Sequence, residues 1–242
     1  IPMPGASVCQ CLDRVHFSFL LRRKLALAGT FPYLKCPRLF LLPLCLLLSG
    51  DVELNPGPSF LILGHLNARS MTSVSVDMDK PELIQDVIVD ANIDVLSANE
   101  TWLTIDTSPN TISSFLPSNY SFLNSPRTSG RGGGVGFIYK SHLNLIKKSI
   151  PVFSSFEAML AQFFIGSSTF QILTLYRPSS SSINSLISEF TQLLESLVSS
   201  PSELLIFGDF NVHADDLNND DANNFVTLLS NFNLKQHVNF ST

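Results

Sequence analysis

From residue 59 onward the apolar positions fall into two alternating rhythms. Short, nearly continuous apolar runs at Phe60–Leu66, Ile93–Leu96, Gly134–Tyr139, Met159–Ile165, Phe170–Leu175 and Leu204–Phe207 have the length and composition of buried strands. Between them the period changes to three and four. Ile183, Leu186, Ile187, Phe190, Leu193, Leu194 and Leu197 line one face of a helix over Ile183–Val198. A second helix is predicted over Lys80–Val89, where Asp79 and Glu82 have capping-box spacing and Pro81 falls in the first turn. A third, around Ala222–Phe232, places Phe225, Leu228, Leu229 and Phe232 together. Serine clusters at Ser179–Ser182 and Ser199–Ser202 mark loops, and Met71–Met78 shows no clear pattern. The alternation predicts an α/β chain with helices packed outside β-sheets.

Composition divides the 242 residues unevenly. Residues 1–58 carry six Lys/Arg against three Asp/Glu, whereas residues 59–242 carry nine against seventeen. An acidic body gains little from general attraction to polyanions, which argues against a nucleic-acid coat protein and suits a local site whose carboxylates hold a cation. All four cysteines (Cys9, Cys11, Cys36, Cys45) precede residue 46, with neither zinc-ligand spacing nor a disulfide framework, so a reducing compartment is expected.

Residues 1–48 are basic and Leu-rich. Their longest apolar run, Leu39–Leu48, contains Pro43 and is too short to span a bilayer, so no stable membrane partner is expected. The first residue is Ile1 rather than Met, and this stretch reads either as a signal-like leader or as sequence upstream of the genuine start. In residues 49–58, Asp51-Val-Glu53-Leu-Asn55-Pro56-Gly57-Pro58, two prolines bracket a glycine and exclude helix or central strand. The segment resembles the 2A-type ribosome-skipping peptide and matches every fixed position of its pattern. The resemblance implies that the ribosome releases one product ending at Gly57 and restarts at Pro58, leaving residues 59–242 as the globular domain.

Four predicted strands end in polar groups capable of chemistry. Phe60–Leu66 runs into Asn67, Ile93–Leu96 into Asn99-Glu100-Thr101-Trp102, Phe170–Leu175 into Tyr176-Arg177-Pro178, and Leu204–Phe207 into Gly208-Asp209-Phe210-Asn211. Asp209 and Asn211, two residues apart, would share one side of the pleat. Singly, each residue has a local explanation, such as an Asx turn. Four in series point to one cleft at the strand ends.

In that order, these motifs resemble the endonuclease/exonuclease/phosphatase superfamily. The closer likeness is to the apurinic-type endonuclease domain of LINE-type (non-LTR) retrotransposons. Softer matches are Arg131–Gly136, Phe156-Glu157 and Leu234–Val238. The resemblance implies two packed β-sheets flanked by helices, a four-layer α/β sandwich. It implies Mg²⁺, with Mn²⁺ as a substitute, held by Glu100 and Asn67. Asp209 would activate the attacking water, Asn211 would stabilise the phosphoryl oxygens, Tyr176 would contact the scissile phosphate, and Arg177 would support the phosphate site. The reaction implied is hydrolysis of a DNA phosphodiester, a nick that primes reverse transcription. A reverse transcriptase is then expected downstream in the same element, with action in the nucleus. Related sequences continue to a Ser-Asp-His motif that does not occur before Thr242, so the resemblance implies a C-terminally truncated, catalytically incomplete fragment.

Two other readings compete: a phosphoesterase of this fold acting on non-DNA substrates, and a non-enzymatic remnant of a retroelement. The stretch Gly130–Gly136 lacks the Gly-Lys-Ser/Thr of a phosphate loop and reads as a turn into a strand. His213 follows the Asp-Asn pair but has only a local reading, and His65, His142 and His237 have no motif around them. Trp102 and the Phe-rich strands read as either substrate-facing or core, with the core favoured.

Overall fold

Two mixed β-sheets form the body of the chain. The computed structural model describes residues 61–75, 78–128, 130, 132–214 and 218–237, together with the backbone of Ser7–Gln10. In chain order the strands are β1 (Ser7–Gln10), β2 (Leu63–Asn67), the short hairpin β3 (Val74–Ser75) and β4 (Met78–Asp79), β5 (Val95–Asn99), β6 (Tyr120–Ser125) and β7 (Val135–Lys140). They continue with β8 (Ile146–Lys148), β9 (Glu157–Ile165), β10 (Ser168–Tyr176), β11 (Glu203–Asp209) and β12 (Lys235–Gln236). The helices are α1 (Lys80–Asp90), α2 (Pro109–Ser113), α3 (Ile183–Leu197) and α4 (Asp220–Asn231). One sheet has the order β2-β5-β7-β6 and the other β12-β1-β11-β10-β9-β8.

The predicted strands are all present, and those leading to the candidate site run further than their apolar letters. Parallel pairing carries β2 and β5 on to the partners Asn67 and Asn99, and carries β10 and β11 on to Tyr176 and Asp209. Pairing therefore aligns the polar strand ends two by two, one pair in each sheet. The helices also start where their caps dictate. Asp79 accepts the Glu82 amide at 3.3 Å, Ser182 accepts that of Ser185, and Asn219 accepts those of Asp221 and Ala222.

Side-chain alternation sorts the sheet faces. Leu63, Val95, Phe137, Met159, Ala161, Phe163, Ile172, Leu205 and Phe207 fill one buried cluster between the two sheets. The opposite positions of the larger sheet, Leu173, Leu175, Leu204 and Ile206, pack instead with Leu186, Phe190 and Leu194 of α3 and Phe225 of α4. Helix α1 contributes Ile84, Val87 and Ile88 to the core of the smaller sheet. Each such Leu or Phe contributes about 1.5–3 kcal/mol by leaving water. The layers are thus helix, sheet, sheet, helices, as expected from the sequence.

A polar seam interrupts this apolar interface. Ser97 Oγ donates to Thr174 Oγ1 at 2.9 Å, and Thr174 Oγ1 donates to Asn99 Oδ1 at 2.8 Å. Asn99 Nδ2 in turn donates to the Leu175 carbonyl at 2.7 Å. Because the only Ser97 hydroxyl proton points at Thr174, His65 Nδ1 must donate to Ser97 Oγ, 3.0 Å away. His65 Nε2 is then bare, buried and without a partner among the described residues, over a stacking contact with Phe207. Burial lowers the His65 pKa to about 3. In the unfolded chain an ordinary imidazole takes up a proton near pH 6.5, which the native ring refuses until about pH 3. The contribution of this group to stability is therefore full above the unfolded value and shrinks as pH falls toward the folded one. His65→Leu is expected to lose less stability than the wild type between pH 6.5 and pH 4.5 in urea titrations, a range inside that window. Parallel pH profiles for the two would contradict this.

Candidate active site at the strand ends

Along the edge where β2, β5, β10 and β11 terminate, the chain beyond β2 stays laced to that beyond β5. Ala68 N donates to the Asn99 carbonyl, Ser70 N to Glu100 and Met71 N to Thr101, at 2.8–3.1 Å. Lys80 Nζ, at the start of α1, closes this loop from below on the carbonyls of Ala68 and Arg69. Across the cleft, β11 needs its glycine: a Cβ on Gly208 would lie 2.4 Å from the Leu175 carbonyl oxygen. Phe210 then anchors the motif. It is fully buried against Phe190 and Phe225, at centroid distances of 5.4 and 4.9 Å.

Asn67 sits at the centre. Its Nδ2 donates to Glu100 Oε1 at 2.9 Å and to Asp209 Oδ2 at 2.7 Å, so one amide nitrogen joins carboxylates from the two sheets. The Tyr176 phenol lies beside Glu100 and Asp209. Burial, and then the negative charges of Glu100 and Asp209, raise the Tyr176 pKa well above that of an ordinary phenol. Tyr176 therefore remains a protonated donor throughout the physiological range. Four of the residues expected from the sequence, Asn67, Glu100, Tyr176 and Asp209, are brought together.

Asn211 is adjacent but is placed differently from the expectation. The strand ends at Asp209, and Asn211 has left-handed backbone (φ 49°), so the two do not share a pleat face. They are joined by an Asx turn, Asn211 N to Asp209 Oδ1 at 3.0 Å, while Asn211 Nδ2 donates to the Arg177 carbonyl. Arg177 lies beneath this turn rather than in the opening. It is 7% exposed, and its guanidinium donates to the carbonyls of Phe210, Asn211 and Ser181. The skipping-site residues Gly57 and Pro58 are outside the described residues.

Several features at this edge were not assigned from sequence. Arg127 pairs with Glu157, whose second oxygen accepts the Gly134 amide; Glu157 is the register partner of Tyr176. Asn99, directly before Glu100, ends the polar seam, and its place at a strand end was the available signal. Glu100 and Trp102 both have left-handed backbone (φ 50° and 56°), uncommon for residues other than glycine. Trp102 is 38% exposed, contrary to the expected core position. His213 and His142 are exposed, and His65 belongs to the buried seam. A depression of about 550 Å³ opens elsewhere, between Thr72, Glu82, Gln85 and Asn110, and contains none of these residues.

Residues 74–228, more than half of the chain, match the Endonuclease/Exonuclease/phosphatase family. The chain belongs to that family. The endonuclease domain of TRAS1, a telomere-specific non-LTR retrotransposon, has the same fold. It aligns with a TM-score of 0.51 at 9% identity over 70% of this chain and 69% of that one. The 3'-5' exonuclease NExo of Neisseria meningitidis aligns with a TM-score of 0.51 at 14% identity over 69% and 70%. With D. rerio TDP2 complexed with a single-strand DNA product, the TM-score is 0.48 at 12% identity. That alignment covers 71% of this chain, which spans 64% of the TDP2 chain. No curated protein matches the chain in sequence.

Enzymes of the Endonuclease/Exonuclease/phosphatase family are generally dependent on a divalent metal. The residues at this edge fit such an ion. Two carboxylates meet at one amide, and the same Asn67 has its Oδ1 buried with no partner among the described residues. An all-oxygen set with few protein ligands suits a hard cation that keeps several waters and takes substrate phosphate oxygens.

Proposed function

We propose that this chain carries the catalytic face of a Mg²⁺-dependent DNA endonuclease of the retrotransposon type. What carries the reading is the Asn67 amide holding Glu100 and Asp209 together, with the Tyr176 phenol beside them. Glu100 and Asn67 would hold Mg²⁺ or Mn²⁺, which supplies charge neutralisation at the phosphate. Asp209, fixed by the Asn67 amide and the Asn211 backbone, would orient and deprotonate the attacking water. One Asn211 amide hydrogen is held on the Arg177 carbonyl, leaving the other for a phosphoryl oxygen as charge develops there. Tyr176, kept protonated, would donate to the same phosphate. Arg177 acts as a positioning residue: its guanidinium binds the carbonyls that set the Asp209–Asn211 turn, so it supports the phosphate site from below.

The partners follow from this reading: a DNA target, a reverse transcriptase encoded downstream, and nuclear action. The acidic body restricts DNA contact to the site itself. Residues 49–58 fit a ribosome-skipping segment cut between Gly57 and Pro58. Skipping would place Ser7–Gln10 on a separate polypeptide from β11 and β12, with which that strand pairs.

The endonuclease reading is tested with supercoiled plasmid, using the chain alone and continued in its own reading frame past Thr242. Nicking that requires Mg²⁺ or Mn²⁺ is expected, with a loss of at least about 100-fold in Glu100→Ala and in Asp209→Ala. Undiminished nicking in both variants, or none in any form, would contradict it. For the skipping site, cell-free translation is expected to give two products, merging into one when Pro58 is changed to Ala. A single full-length product from the unaltered chain would remove the claim.

A further inference from the structure

We propose that Trp102 is a nucleobase platform at the rim of the site, stacking a base of the strand whose phosphate is cleaved, and that the glycines at 132–134 form its seat. The proposal rests on the endonuclease reading and adds to it the group that grips the substrate beside the phosphate.

The glycine stretch is built for close approach. Gly132, Gly133 and Gly134 all have φ between 70° and 83°. A Cβ on Gly132 would lie 3.3 Å from the Trp102 indole nitrogen, and one on Gly134 would lie 2.5 Å from Thr101 Oγ1. The backbones are clamped as well, Thr101 N to the Gly134 carbonyl at 3.2 Å and Trp102 N to the Gly133 carbonyl at 2.9 Å. The seat thus fixes the segment carrying Glu100, and it holds Trp102 in left-handed backbone that a bulky residue rarely adopts.

The side chain stands at the rim of the site, not in the core. Its five-membered ring lies against Gly132, and the indole N–H points at Glu100 Oε2, 3.3 Å away. The side chain therefore adjoins a carboxylate of the candidate metal site. Yet 38% of Trp102 faces solvent, whereas the phenylalanines Phe115, Phe137, Phe163, Phe190, Phe207, Phe210 and Phe225 are fully buried. An indole offers an apolar π surface, which every nucleobase can stack on whatever its sequence. The acidic body offers little general attraction to DNA, so stacking supplies grip that does not depend on charge.

Trp102 is the chain's single tryptophan, so its emission reports on this position alone. The full chain is titrated, with Ca²⁺ replacing Mg²⁺, against an oligothymidylate and against a base-free oligomer of tetrahydrofuran spacers carrying the same number of phosphates. The thymidylate is expected to quench the indole and the base-free oligomer to leave it bright. Trp102→Ala should weaken thymidylate binding about tenfold and base-free binding less than about twofold, with Trp102→Phe retaining most of the affinity. Equal quenching by both oligomers overturns the proposal, as does a Trp102→Ala variant with matching circular dichroism that weakens both or neither. The latter results, alongside plasmid nicking that still depends on Glu100, would leave the endonuclease reading standing. A chain that neither nicks plasmid nor binds either oligomer would remove that reading and the platform together.

Discussion

One amide nitrogen, Asn67 Nδ2, stands between two carboxylates that arrive from different sheets, Glu100 after β5 and Asp209 at the end of β11. Two like charges brought this close in a partly buried place repel, by about 4 kcal/mol at 4 Å for an effective dielectric of 20. Something positive or strongly donating must separate them. The amide supplies a donor to each, and a divalent cation would neutralise what remains. The Trp102 indole adds a further donor to Glu100.

That convergence is set by the architecture beneath it. Parallel register puts Asn67 beside Asn99 in one sheet and Tyr176 beside Asp209 in the other. The seam from His65 through Ser97 and Thr174 to Asn99 then ties the sheets together directly below the site. Apolar packing alone would leave sliding of one sheet on the other resisted only by shape. Directional hydrogen bonds in a low-dielectric interior fix one offset, because a shift would strand several buried polar groups, each worth about 1–3 kcal/mol. Gly208 and Phe210 do the same for the turn that carries Asn211, one by letting backbones approach and the other by anchoring between α3 and α4.

Much of this was legible in the sequence, for identifiable reasons. Buried strands and the amphipathic helix Ile183–Leu197 announce themselves through apolar period, and Asp79 marks the start of α1 through its cap. The polar residues Asn67, Glu100, Tyr176 and Asp209 were visible because each interrupts an apolar run at its end. Strands β6 and β8 were not, since Tyr120–Ser125 is only half buried along its length and Ile146–Lys148 is an exposed edge. Two side-chain placements depended on tertiary geometry that no local pattern encodes. Arg177 faces carbonyls brought to it by a turn in another segment, and Trp102 is held outward by glycines about thirty residues later in the chain. Left-handed backbone at Glu100 and Trp102 likewise has no signature in residue type, whereas Asn211 is of a type that favours it.

The most direct measurement is the calorimetric titration of Mg²⁺ and Mn²⁺ into the chain and into Asn67→Ala, Glu100→Gln and Asp209→Asn. If Glu100 and Asn67 hold one cation beside Asp209, a single ion binds the wild type, Glu100→Gln loses it, and Asp209→Asn weakens it less than Glu100→Gln. Asn67→Ala, with both carboxylates intact, should then bind about 10- to 100-fold more weakly. Equal affinity in the wild type and all three variants would contradict a cation site at these residues.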